Sequence, residues 1–150
     1  MITKISEYIT ESNLDIRHFL NMTPFEFDQS ENGWRSLENE NDIFFIIDLY
    51  LKKHPNNELS NIMFFHQGQS YAVNNDYKNA IINMEKSLEN NDKDWNSYVI
   101  LTIYFLKQNF KLFIDNYKKL YKNISFDNNK KIINNMKQNF NLSYIDVYSM

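Results

Sequence analysis

Three histidines, His18, His54 and His66, are the side chains of this sequence best suited to metal or proton chemistry. None stands in the helical pattern, with a second ligand three or four residues on, that presents a zinc-binding pair from one face. No metal site is expected from them. The chain has no Cys, which removes thiolate nucleophiles, Cys-ligated zinc and disulfides together. Only two Gly are present, so neither a phosphate-cradling loop nor an oxyanion-binding turn is written here. The paired carboxylates Glu38/Glu40 and Asp92/Asp94 fall at expected helix boundaries, where interaction with helix N-termini accounts for them. The chemistry therefore points away from catalysis, with no catalytic residue and no cofactor expected. The competing enzyme or ligand-binding reading rests on a cluster around His66.

The elements that must position such residues follow from composition and periodicity. Of 150 residues, 43% are apolar and 16% aromatic, enough for one core. Two Gly and two Pro are too few for the turns of a many-stranded protein, so helices are favoured. Asn occurs 24 times and is a mediocre helix former, so these helices depend on tertiary packing. Apolar positions three and four apart mark a helix carrying Ile43, Ile46, Ile47, Tyr50 and Leu51, which stops at His54-Pro55. Further helices are expected over 58–73, 77–89, 94–107 with Asp94 as N-cap, 110–122 and 126–140. Thr23-Pro24-Phe25-Glu26 reads as a capping box opening a helix towards Leu37, and residues 1–22 as one or two short helices.

The start of the chain mixes Lys4, Glu7 and Glu11 into its apolar pattern, unlike a signal peptide. The longest uncharged apolar stretches, 43–47 and 97–106, fall short of the roughly 20 residues that span a bilayer. A cytoplasmic protein without membrane contact is the expectation.

Within 61–94, Phe64, Gln67, Gly68, Tyr71, Tyr77, Ala80, Met84 and Leu88 recur at the spacing of a 34-residue helix-turn-helix unit. Gly68 and Ala80 are placed where two helix axes approach most closely. The segment resembles a tetratricopeptide repeat. A second copy over 95–123 uses Trp95, Tyr98, Leu101, Thr102, Phe105, Phe110, Phe113, Tyr117 and Leu120, and a degenerate one over 24–57 uses Trp34, Ile43, Ile47 and Pro55. Gly33-Trp34-Arg35, His66-Gln67-Gly68-Gln69 and Asp94-Trp95-Asn96 are similar to segments of small uncharacterised bacterial members of that class. The resemblance implies an all-α domain of 1–150, with antiparallel helix pairs stacked as a short right-handed solenoid. Extra terminal helices, including a cap over 126–140, complete it. It also implies a concave groove built from the first helices, lined by Arg35, Phe65, His66, Gln69, Asn96, Val99 and Ile103.

That groove gives the expected function, a non-catalytic module that binds a peptide or partner protein. Either a partner or the chain's own terminal segment must cover Phe65, Val99, Ile103 and Leu106. Charge adds a second surface. Residues 1–106 carry a net -8 and residues 107–150 a net +5, the latter from eight Lys against three Asp. Such polarity suits head-to-tail self-association, so a homo-oligomer is a candidate. Nucleic-acid binding through these lysines is the remaining alternative, disfavoured because no Arg stands among them.

Overall fold

The structure, a computed structural model, describes residues 14–150, and the helices expected before residue 14 lie outside it. Among the described residues there are nine α-helices and two 3-10 turns, with no strand. They divide into two compact units, one reaching Met63 and one over Phe64–Met150.

In the first unit, α1 (Ile16–Leu20) is capped by Asp15, whose carboxylate accepts from the His18 backbone N–H. Helix α2 (Pro24–Gln29) begins with the expected capping box. Thr23 Oγ1 accepts from Glu26 N at 3.2 Å, and Glu26 Oε2 accepts from Thr23 N at 3.0 Å. The helix does not continue towards Leu37. Ser30 turns extended and the chain re-enters as a 3-10 turn, Trp34–Ser36. Gly33 makes this possible, because a Cβ there would overlap the carbonyl oxygens of Glu26 and Phe27. Within the turn, Asp28 is fully buried and accepts from Trp34 Nε1 at 3.0 Å and from Gln29 Nε2. Helix α3 (Glu40–Lys53) buries Ile46, Ile47, Tyr50 and Leu51, as its periodicity requires. The Tyr50 ring stacks on Phe27 with centroids 3.8 Å apart, and its hydroxyl donates to Met22 O at 2.7 Å. His54 Nε2 meets the Leu20 carbonyl at 3.0 Å, and since a carbonyl only accepts, that nitrogen carries the proton.

Most of α4 (Ser60–Val73) belongs to the second unit, with α5 (Tyr77–Lys86), α6 (Lys93–Leu106), α7 (Phe110–Leu120), α8 (Asp127–Gln138) and α9 (Tyr144–Tyr148). Short polar side chains start four of them, whereas α8 follows Phe126 without a side-chain cap. Asp76, Asp92, Asn109 and Ser143 each accept the backbone N–H three residues on. The cap of α6 is therefore Asp92 and not Asp94, which instead accepts from the Ser125 N–H at 3.0 Å. Two connections turn on residues in the left-handed region, Asn75 at φ 61° and Gln108 at φ 55°. Helix α6 is the centre, burying Ser97, Tyr98, Val99, Leu101, Thr102, Ile103, Phe105 and Leu106 against α5, α7 and α8.

Gly68 lies where the spacing requires a small residue. A Cβ built on it would sit 2.6 Å from Met84 Cγ and 3.0 Å from the Ala80 carbonyl oxygen, with Ala80 fully buried alongside. Phe110, expected in the apolar stripe of its helix, is half-exposed, as is Leu88, because α5 ends at Lys86.

Three tyrosines tie these cores to pH. Burial pushes the Tyr50 phenol up to about 12, with smaller contributions from Glu58 and Glu26, and burial raises Tyr98 and Tyr144 further from their ordinary value. Unfolding returns each to about 10, so the unfolded chain loses these protons first as pH rises. Stability is expected to stay level through neutral pH and to fall from about pH 10 upward. Urea midpoints measured between pH 8 and pH 12 check this, and a midpoint that rises in that range has the wrong sign.

Candidate functional site

The residues expected to line a groove do not form an open one. Phe65, Val99 and Ile103 are 3%, 0% and 4% exposed and belong to one continuous core. Phe65 sits edge-on to Trp95 at 5.1 Å and against Tyr98 at 5.3 Å. The chain's own C-terminal segment packs into the same core. Tyr144 and Val147 of α9 are fully buried in that core. Gln69 Nε2 donates to the Tyr144 hydroxyl at 3.0 Å, and the Tyr144 N–H donates to the Tyr77 hydroxyl at 2.9 Å. The chain's own terminus, one of the candidate covers weighed from sequence, thus shares a core with these residues.

The polar residues of the set have separate tasks. Asn96 clamps the loop before its helix, accepting from Glu89 N at 2.9 Å and donating to Glu89 O. Gln69 anchors α9, as described. His66 is half-buried on α4. Arg35 belongs to the first unit, where its guanidinium lies 4.3 Å from the centre of the Trp34 ring. Gln67 is 3% exposed with an unpartnered Oε1.

A different surface stands open on the lysine-rich side. Phe140, just past α8, packs its ring against Phe105 at 5.2 Å and Phe113 at 5.5 Å. Its outer side meets Phe110 at 5.1 Å, and Phe110 keeps 51% of its surface exposed. Phe110, Lys137, Gln138, Phe140 and Asn141 together line a cleft of about 370 Å³. Nothing anionic is among the lining residues. The Lys137 ammonium lies 4.4 Å from the Tyr117 ring centre. Beneath it a hydrogen-bonded ladder fixes α7 to α8: Tyr117 donates to Asn134 Oδ1 at 2.7 Å, and Asn134 Nδ2 donates to the Tyr121 hydroxyl at 2.8 Å. The cleft is thus held on rigid elements. Sequence reasoning missed it by assigning Phe110 to the core; its place at the first position of α7, on the face of buried Phe113 but with no earlier turn of the helix to cover it, is the signal that was there to be read.

In the first unit a larger cleft of about 580 Å³ is lined by His18, Phe19, Met22, Glu26, Ser30, Asn32 and Ser36. Its Glu26, Ser30 and Ser36 side chains are already spent on Thr23 N, Glu26 O and Gly33 O. Among the described residues no three His, Asp or Glu side chains gather as a metal site, and no helix is long and apolar enough to cross a membrane. Comparison with models of known families, with curated proteins and with solved structures finds no match to this chain.

Proposed function

We propose that the chain is a non-catalytic protein-interaction module of tetratricopeptide-like helix pairs, and that it docks its partner at the Phe110/Phe140 cleft. The observation that carries this reading is a half-exposed Phe110 held against Phe140 in a cleft that a lysine borders and no carboxylate enters. An apolar floor with a cationic rim fits an acidic segment that offers one aromatic or aliphatic side chain. The repeat resemblance, the close Gly68–Ala80 approach and the paired helices support the scaffold half of the reading. A cytoplasmic setting fits a chain without Cys.

Fluorescence anisotropy with a labelled, amidated Glu-Glu-Phe-Glu-Glu peptide tests it. Saturable binding is expected, weakened roughly tenfold by Phe110→Ala and by raised salt. Binding that ignores Phe110→Ala would remove the cleft as the site. A tighter, steeply salt-dependent complex with a single-stranded RNA would replace the protein partner by nucleic acid.

A further inference from the structure

The same chain offers the chemistry that the cleft accepts. Phe25, at the first turn of α2, keeps 65% of its surface exposed, the most of any large hydrophobic side chain among the described residues. It follows Pro24 in a capping box, so its backbone is fixed by the Thr23–Glu26 hydrogen bonds and its ring projects from a rigid turn. Buried Phe27 and Asp28 anchor the same turn from below. Along the chain its near neighbours carry charge of one sign. Glu26 and Glu31 are exposed and no Lys or Arg occurs between Arg17 and Arg35. The cation that comes nearest in the structure's hydrogen bonds is Lys53 on Asn21. The cleft has the opposite character, with Lys137 on its rim in a region of net +5.

We propose that the cleft's partner is a second copy of this chain, whose Phe25 inserts beside Phe110 and Phe140 while the acidic stretch around it faces Lys137. This rests on the docking reading above and names its occupant. The contact joins two different patches, so it is heterologous: each copy carries one knob and one cleft. An exposed ring on a preformed turn loses little freedom on docking, and charge complementarity orients the approach. One ring and a few exposed charges make a small interface, so association is expected at concentrations on the order of hundreds of micromolar and only at low salt.

Sedimentation velocity of the full chain over a concentration series, at low and high salt, provides the test. The wild-type chain is expected to associate at low salt and to dissociate as salt rises. Phe25→Ala and Phe110→Ala should each weaken association roughly tenfold or more. Both side chains are largely exposed, so both variants are expected to keep their helical circular dichroism. Should Phe110→Ala lose it, Asn141→Glu, which puts a carboxylate in the cleft, takes its place. The decisive run mixes the two variants. Phe25→Ala retains a cleft and Phe110→Ala retains a knob, so the mixture should form a heterodimer that neither forms alone. A wild-type chain that stays monomeric throughout, or a mixture that does not associate, overturns the self-docking proposal. The labelled acidic peptide added to the same samples separates the two claims. If it binds the monomeric chain through Phe110, the docking reading survives and only the identity of the partner falls; if it does not bind either, both fall.

Discussion

Tyr144→Ala is expected to lower the unfolding free energy of the second unit by about 3–5 kcal/mol, in the range usual for removing a large buried ring. The ring is fully buried in the core that holds Phe65, Val99 and Ile103. Truncation leaves a cavity over them, and α9 loses its bond to Gln69. Tyr144→Phe separates packing from hydrogen bonding, since it keeps the ring and gives up only the acceptor for Gln69 Nε2. Its effect is expected near 1 kcal/mol. Urea denaturation followed by Trp95 fluorescence in a Trp34→Phe background reads this unit. Equal midpoints for Tyr144→Ala and the parent would show that α9 does not cover the core, and the groove would then be open as the repeat resemblance implied.

Gly68→Leu is the second large effect, with an expected loss of up to about 3 kcal/mol from overpacking. The size of the new side chain decides the outcome. Ala at this position gains about 1 kcal/mol of helix propensity, but its Cβ would meet Met84 Cγ at 2.6 Å and the Ala80 carbonyl oxygen at 3.0 Å, so Gly68→Ala should come out destabilising, by less than Gly68→Leu. Leu brings the same Cβ and three further carbons into a contact already bounded by the Ala80 carbonyl, which is backbone and cannot yield cheaply. Met84→Ala in the Gly68→Leu background should recover part of the loss, because it vacates the space that Leu enters. A double variant no better than Gly68→Leu alone would mean the two side chains do not share that space, and a Gly68→Leu midpoint equal to the parent's would contradict the helix contact itself.

The helices could be read from the sequence wherever a face was continuously apolar. Ile46, Ile47, Tyr50 and Leu51 on α3, and Tyr98, Leu101, Thr102 and Phe105 on α6, declared their burial by spacing, whereas Val99, Ile103 and Leu106, read as an apolar surface needing a cover, are buried as well. Ends were harder, since a helix stops for reasons beyond its own residues. Helix α2 stops at Gln29 through its neighbours, with Ser30 Oγ donating to Glu26 O and Gly33 folding back on the Phe27 carbonyl, and apolar periodicity does not show this. The start of α6 was misread by two residues because Asp92 and Asp94 are both good caps, and the choice is made by Ser125, distant in sequence. Of the residues read as groove lining, only the apolar ones, Phe65, Val99 and Ile103, share one core. What covers them depends on a five-residue helix, α9, too short to announce itself by periodicity.

Helix α6 has one further consequence. From Tyr98 to Leu106 it holds no charge and is built almost wholly of Tyr, Val, Ile, Leu, Thr and Phe, residues whose intrinsic preference is largely for extended chain. It is helical because α5, α7 and α8 surround it, and once they part nothing local keeps it so. The released stretch has the composition of a cross-β zipper, with Asp94 before it and Lys107 after it as its nearest charged guards. Heat-induced loss of the folded protein is therefore expected to follow how often the second unit opens and how fast exposed copies of this stretch find each other, a matter of rates and concentration more than of equilibrium.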